Sequence, residues 1–171
     1  TFDLFSSDSA NRSYTFVKGA ETLVATSGQI QTGLEEFRDT ETVDIDYLLM
    51  GGGDAGSKTN SQAIAATVLS IASSRKDTVG FISPYYGDVV GVTSSATQTQ
   101  NVVDFYSNMQ ATSFGVFDSG WKYIYDRFAD KYRYVPLNGD VAGLCASVTA
   151  NGTPWFSPAG LNRGAIRGAV K

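Results

Sequence analysis

VDIDYLLMGGGDAGSKTNSQAIAATVLSIASSRKDTVGFISP, residues 43–84, is the stretch whose reading decides the fold. Val43, Ile45, Tyr47, Leu48, Leu49 and Met50 predict a strand that becomes continuously apolar at its end, as strands covered on both faces do. A glycine-rich turn follows. Asn60 or Ser61 can then cap a helix over Ala63 to Ser74, where Ile64, Val68 and Ile71 recur at helical spacing. A second strand is predicted over Thr78 to Ile82. It stops at Ser83-Pro84, because proline donates no ladder hydrogen bond and pushes its predecessor toward extended geometry.

Outward from that unit the alternation continues. Val102, Phe105, Tyr106 and Met109 share one face of a helix predicted over Gln98 to Gln110, and Ser113 to Phe117 is a third strand. Strand, helix, strand, helix, strand is the mark of a parallel α/β sheet. The period then falls to two. Trp121, Tyr123 and Tyr125 alternate with Lys122, Ile124 and Asp126, and beyond a turn at Phe128-Ala129-Asp130 the residues Tyr132 and Tyr134 alternate with Lys131, Arg133 and Val135. This predicts a β-hairpin with an aromatic face. A short helix is predicted from Asp140 through Val141, Leu144 and Val148 to a stop at Asn151-Gly152, and a loop from Thr153 onward. Residues 1–42 are polar with strand-like patches at Tyr14–Val17 and Thr22–Ala25.

Does the glycine turn hold a nucleotide? Gly51, Gly53 and Gly56 satisfy G-x-G-x-x-G between a strand and a helix. A dinucleotide site also needs an acid at the end of the next strand to hold the ribose, and the nearest acid after Ser83-Pro84 is Asp88. A phosphate-binding loop needs Gly-Lys-Thr contiguous, and Ser57 separates Gly56 from Lys58. Asp54 further sets a negative charge among the amides that would cradle a phosphate. The expectation is a flexible strand-to-helix connection and no cofactor.

Other chemistry is sparse. With no histidine there is no Ser-His-Asp triad and no histidine metal site. Asp118, Asp126 and Asp130 flank the hairpin and could form a two-carboxylate hydrolase pair, but aspartate is a turn former and turns are the expectation. The hairpin tyrosines with Trp121 could stack sugar rings; burial against a neighbouring layer or subunit is simpler. Arg163, Arg167 and Lys171 would form a basic stripe if helical, though the adjoining glycines weaken the helix. No catalytic, cofactor-binding or metal residue is assigned. The single cysteine, Cys145, forms no internal disulfide. No run approaches the roughly 20 apolar residues that span a bilayer, and no signal peptide is read at Thr1, which suggests a processed or excised piece. Residues 1–60 carry ten acids against four bases and residues 61–171 seven against nine, too thin a basic excess for a nucleic-acid face.

From Tyr123 to Ile166 the run YIYDRFADKYRYVPLNGDVAGLCASVTANGTPWFSPAGLNRGAI resembles the tail sheath proteins of contractile-tailed, T-even-like bacteriophages. Three blocks carry the resemblance in order: Val135-Pro136-Leu137, Asp140-Val141-Ala142-Gly143-Leu144-Cys145-Ala146, and Trp155-Phe156-Ser157-Pro158-Ala159-Gly160-Leu161-Asn162-Arg163-Gly164. Between Val43 and Thr112 the resemblance lies in the order of elements more than in letters. It implies a structural subunit, with no catalysis and no cofactor, that polymerises helically around a tail tube and contracts to drive the tube through the host envelope. The implied partners are neighbouring sheath subunits, the tube protein, and baseplate and tail terminator proteins, with no nucleic acid and no membrane insertion. The implied location is the virion, after assembly in the host cytoplasm. The expected fold class is α/β: a three-layer-like core with a mixed, mainly parallel sheet flanked by helices, plus an antiparallel hairpin and a partial β-rich peripheral region. Residues 1–42 would belong to a peripheral β-rich domain and residues 43–171 to an incomplete sheath core, a fragment expected not to polymerise alone. Two other readings are a nucleotide- or dinucleotide-binding α/β enzyme using the loop 51–56, and a carbohydrate-binding adhesin module using the aromatic hairpin.

Overall fold

The computed structural model describes residues 24–54, 56–153, 155–161 and 163–170. Three short strands, β1 (Tyr47–Leu49), β2 (Val79–Ile82) and β3 (Gly115–Phe117), form a parallel sheet in the order β1-β2-β3. Leu48 pairs with Gly80 and Phe81 with Val116. The connections are α2 (Lys58–Arg75) and, between β2 and β3, α3 (Tyr86–Val89) and α4 (Ser95–Ser107). The expected α/β alternation is therefore present.

Glycine decides how closely α2 lies on the sheet. A Cβ at Gly80 would stand 2.9 Å from Val68 Cγ1, and one at Gly115 would collide with Leu69 Cδ2. On this face Leu48, Met50 and Ile82 pack with Ile64, Ala65, Val68, Leu69 and Ile71 of α2 and with Phe105 of α4. Alternation along β2 sends Phe81 to the opposite face, where α5 (Asn138–Asn151) contacts β1 and β2. Helices thus cover both faces.

The edges of the elements differ from expectation for identifiable reasons. β1 omits Val43 and Ile45 because their carbonyls accept from the Arg75 and Thr78 side chains, not from a neighbouring strand. Nor is β1 covered on both faces at its end: Leu48 is buried and Leu49 is 43% exposed. α2 is capped by Ser57, whose hydroxyl accepts from Asn60 N, so it begins before Asn60 and Ser61. α4 likewise starts early, at the Ser94 cap. α5 begins at Asn138, ahead of Asp140, because Ser83 Oγ accepts from the Asn138 amide.

The N-terminal segment is the largest correction. Ser27–Glu35 is a helix, α1, continued by a 3₁₀ turn at Glu36–Arg38. Thr26 and Gln29 form a reciprocal capping box at its start. Ile30, Leu34 and Phe37 pack this segment against the core, so it is neither strand nor free of the α/β body. Val24 and Ala25 lie in no strand, and the patch at Tyr14–Val17 falls outside the described residues.

The hairpin is as expected. β4 (Trp121–Asp126) pairs antiparallel with β5 (Lys131–Pro136), setting Tyr123 opposite Tyr134 and Tyr125 opposite Tyr132. Its base is fixed to the sheet by Trp121, whose Nε1 donates to Pro84 O at 2.9 Å and whose ring meets Tyr86 edge-on. After α5 the described residues are irregular to Val170. No helix carries Arg163 and Arg167, and Lys171 is outside the described residues.

Candidate functional site

The glycine loop binds itself. Asp54 accepts from the Gly56 amide at 2.9 Å and from Asn60 Nδ2 at 2.7 Å, and these bonds, the Asn60 one foremost, hold its carboxyl below the usual range. Ser61 Oγ donates to Asp54 O and accepts from Asp54 N, while Asn138 Nδ2 donates to Gly51 O. An amide that would receive a phosphate is already given to a carboxylate of the same chain, at the N-terminus of α2 where an anion is favoured. The connection is tied down by hydrogen bonds, so the expected flexibility is corrected to a fixed turn.

The three aspartates do not converge. Asp126 accepts from the Phe128 and Ala129 amides and pairs with Arg133, and Asp130 accepts from Tyr125 Oη, so both shape the hairpin tip. Asp118 sits at the hairpin base, one six-residue strand away, about 17–20 Å.

Asp118 is the centre of a separate network that joins sheet, hairpin and α5. Its carboxylate accepts from Ser83 Oγ at 2.5 Å and from the Gly120 amide at 3.0 Å, while its carbonyl accepts from Tyr106 Oη at 2.7 Å. Burial, assisted by the negative charge of Asp140, pushes its carboxyl up to about 6 against the two lowering hydrogen bonds. Burial and the nearby Asp118 also raise Tyr106. The folded chain then holds a proton that the unfolded chain, titrating at its ordinary value, has already released. Its contribution to stability is greatest below about pH 4 and is lost as pH rises through about 6. We expect the melting midpoint to fall across that window, and Asp118→Asn to remove this part of the slope. An unchanged slope in the variant, read by thermal melts at stepped pH, contradicts the assignment.

The tyrosine face is half-buried. Tyr123 and Tyr132 stack at 5.3 Å, Tyr123 meets Tyr134 at 4.6 Å, and Tyr86 reaches Tyr134 edge-on. The rings spend their faces on one another and on α3, which leaves Tyr125, Tyr132 and Phe128 exposed at the tip. The free edge of β4 is met by the C-terminal segment, where Val170 N donates to Tyr123 O at 2.8 Å. That segment also carries Trp155, Leu161 and Ile166 in solvent.

Between it and α5 runs a groove of about 660 Å³, lined among others by Gly139, Gly143, Ser147, Phe156, Arg163 and Arg167. A Cβ at Gly139 or Gly143 would touch nothing, so the helix face here is open. Sequence reasoning missed this groove, because only the return of an irregular segment over α5 creates it. Among the described residues no cluster of three or more His, Cys, Asp or Glu is placed to hold a metal, and no helix is long and apolar enough to cross a membrane.

A family model described as the phage tail sheath protein central domain matches residues 24–171. The chain is 32% identical over 155 residues to the tail sheath protein of Enterobacteria phage T4, covering 85% of this chain and 23% of that protein. It is 35% identical over 156 residues to the tail sheath protein of Vibrio phage KVP40, covering 80% of this chain and 22% of that one. With the tail sheath protein of Salmonella phage ViI it shares 34% identity over 98 residues, 57% of this chain and 15% of the relative. The chain spans less than a quarter of the length of these relatives.

Proposed function

Because the chain belongs to the phage tail sheath protein family, we propose that it is part of a structural subunit that polymerises helically around a tail tube and contracts to drive the tube through the host envelope. The observation that carries this reading is the match of residues 24–171 to the central domain of the family. The structure is consistent with it in physical terms. A small sheet closed by helices on both faces transmits force as a body, since packed interiors deform little. The work then comes from exchange of neighbours between two lattices, with no reaction on a small molecule. The glycine loop, occupied by Asp54, is assigned no cofactor.

Tube, baseplate and tail terminator proteins are the proposed partners, the virion the proposed location, and the host cytoplasm the proposed place of assembly. The domain division is a proposal as well. Residues 43–171 form the core body, incomplete relative to the whole subunit, and residues 1–42 lead into a peripheral domain, with α1 as the part of that segment docked on the core.

Electron microscopy of the full gene product tests the reading. We expect tubes in a long, narrow form and a short, wide one. A product that stays monomeric at high concentration, or that binds NAD or ATP at micromolar affinity, about −8 kcal/mol, contradicts it.

A further inference from the structure

The charge asymmetry of the chain resolves in the structure into two unlike surfaces. The first is an acidic strap that runs from the 3₁₀ turn to β1. Glu36, Glu41, Asp44 and Asp46 are exposed on it, while Val43 and Ile45 alternate inward. None of the four acids forms an ion pair with a described residue. The strap is held in shape from beneath: Arg75 donates to the carbonyls of Phe37, Asp39 and Val43, and Thr78 Oγ1 donates to Ile45 O. A segment fixed before it binds loses little conformational entropy on docking.

The second surface is the groove beside α5. Arg163 and Arg167 line it and pair with no described acid. Asp140 also lines it, but Lys122 Nζ at 2.6 Å takes up that charge. Arg163 is positioned by the Phe156 ring, 5.5 Å from its guanidinium carbon. The groove is therefore a cationic slot with an open helix face as its floor.

Strap and groove belong to opposite layers. The strap issues from the α1–α2 layer and the groove is built on α5, across the sheet. No ion pair joins them within one chain. We propose that the occupant of the groove is a second copy of this chain, which lays its strap, through Glu41, Asp44 and Asp46, against Arg163 and Arg167. A contact between two unlike patches is heterologous. It generates a ring where its rotation closes and a helical filament where it does not, and in neither case a two-fold dimer. The inference rests on the polymer reading above and names one of its contacts.

Charge exchange in the full gene product tests it. One variant carries R163E and R167E, making both surfaces acidic; the other carries E41K, D44K and D46K, making both basic. Each variant alone is expected to form no tubes, and an equimolar mixture is expected to form them by alternation. Wild-type tubes are expected to thin out toward about 1 M salt, where the screening length falls to about 3 Å. If both variants form tubes alone as readily as wild type, the contact is wrong and the polymer reading stands. Failure of the mixture also overturns the contact, because complementary charge has then not been sufficient. If wild type forms no tubes under any condition, the polymer reading fails, and this contact with it.

Discussion

Arg75→Ala is expected to destabilise the chain by about 3–5 kcal/mol, the cost of breaking a buried, fully paired charged group. Only 1% of the Arg75 side chain is exposed, and it donates at 2.7–3.1 Å to the Phe37, Asp39 and Val43 carbonyls, both Asp77 carboxylate oxygens and Thr78 Oγ1. One planar fork satisfies six acceptors on two stretches of chain, residues 37–43 and 77–78. Alanine leaves three carbonyls without donors in a site shaped for a guanidinium. Lysine brings one compact ammonium in place of the fork, so Arg75→Lys is expected to recover less than half the loss. Asp77 is half exposed and can turn to water, so the damage lies in the carbonyls and not in a stranded carboxylate. Urea unfolding of the three proteins decides the matter: a loss under about 1 kcal/mol for alanine would mean that water replaces the guanidinium without penalty.

Phe105→Ala is expected to cost a comparable 3–5 kcal/mol, about what large-to-small changes of a buried aromatic cost. Phe105 is the one fully buried residue of α4, and it joins that helix to the core cluster that includes Ile64, Val68 and Leu69 of α2. Much of what else holds α4 is polar: Tyr106 Oη donates to Ile82 O and Asp118 O, and Gln62 Nε2 donates to Phe105 O. The loss should therefore be local first. Hydrogen exchange is expected to accelerate throughout Ser95–Ser107 while the amides of β2 stay protected. Equal acceleration in both elements would show that α4 and the sheet open only as one unit. Phe105→Leu, which keeps most of the volume, is expected to cost under about 1.5 kcal/mol.

The parts of the fold legible in the sequence are those with a strong local signal. Ile64, Val68 and Ile71 announced α2, and alternation from Trp121 to Val135 announced the hairpin with its turn. The same letters could not reveal that Arg75, at the end of α2, would claim the carbonyls before β1 and shorten that strand. Helix α1 was missed although its signals were present. Thr26 and Gln29 have capping-box spacing, and Ile30, Leu34 and Phe37 have helical spacing. A polar average over residues 1–42 hid three apolar positions that matter. Among the site residues, Asp54 reads in the sequence as a negative charge among the loop amides, and the structure shows its carboxylate accepting from the Gly56 amide. The acidic excess of the first sixty residues was visible as a sum. That part of it lies on a braced strap, facing away from a slot with two unpaired arginines, depends on tertiary placement that no local pattern encodes.

The outer strands of the sheet, β1 and β3, are each three residues long. An edge that brief offers a stray strand only one or two ladder bonds, too few to outweigh the entropy of ordering it. These two edges are therefore poor templates for edge-to-edge pairing, the first step of amyloid-like association.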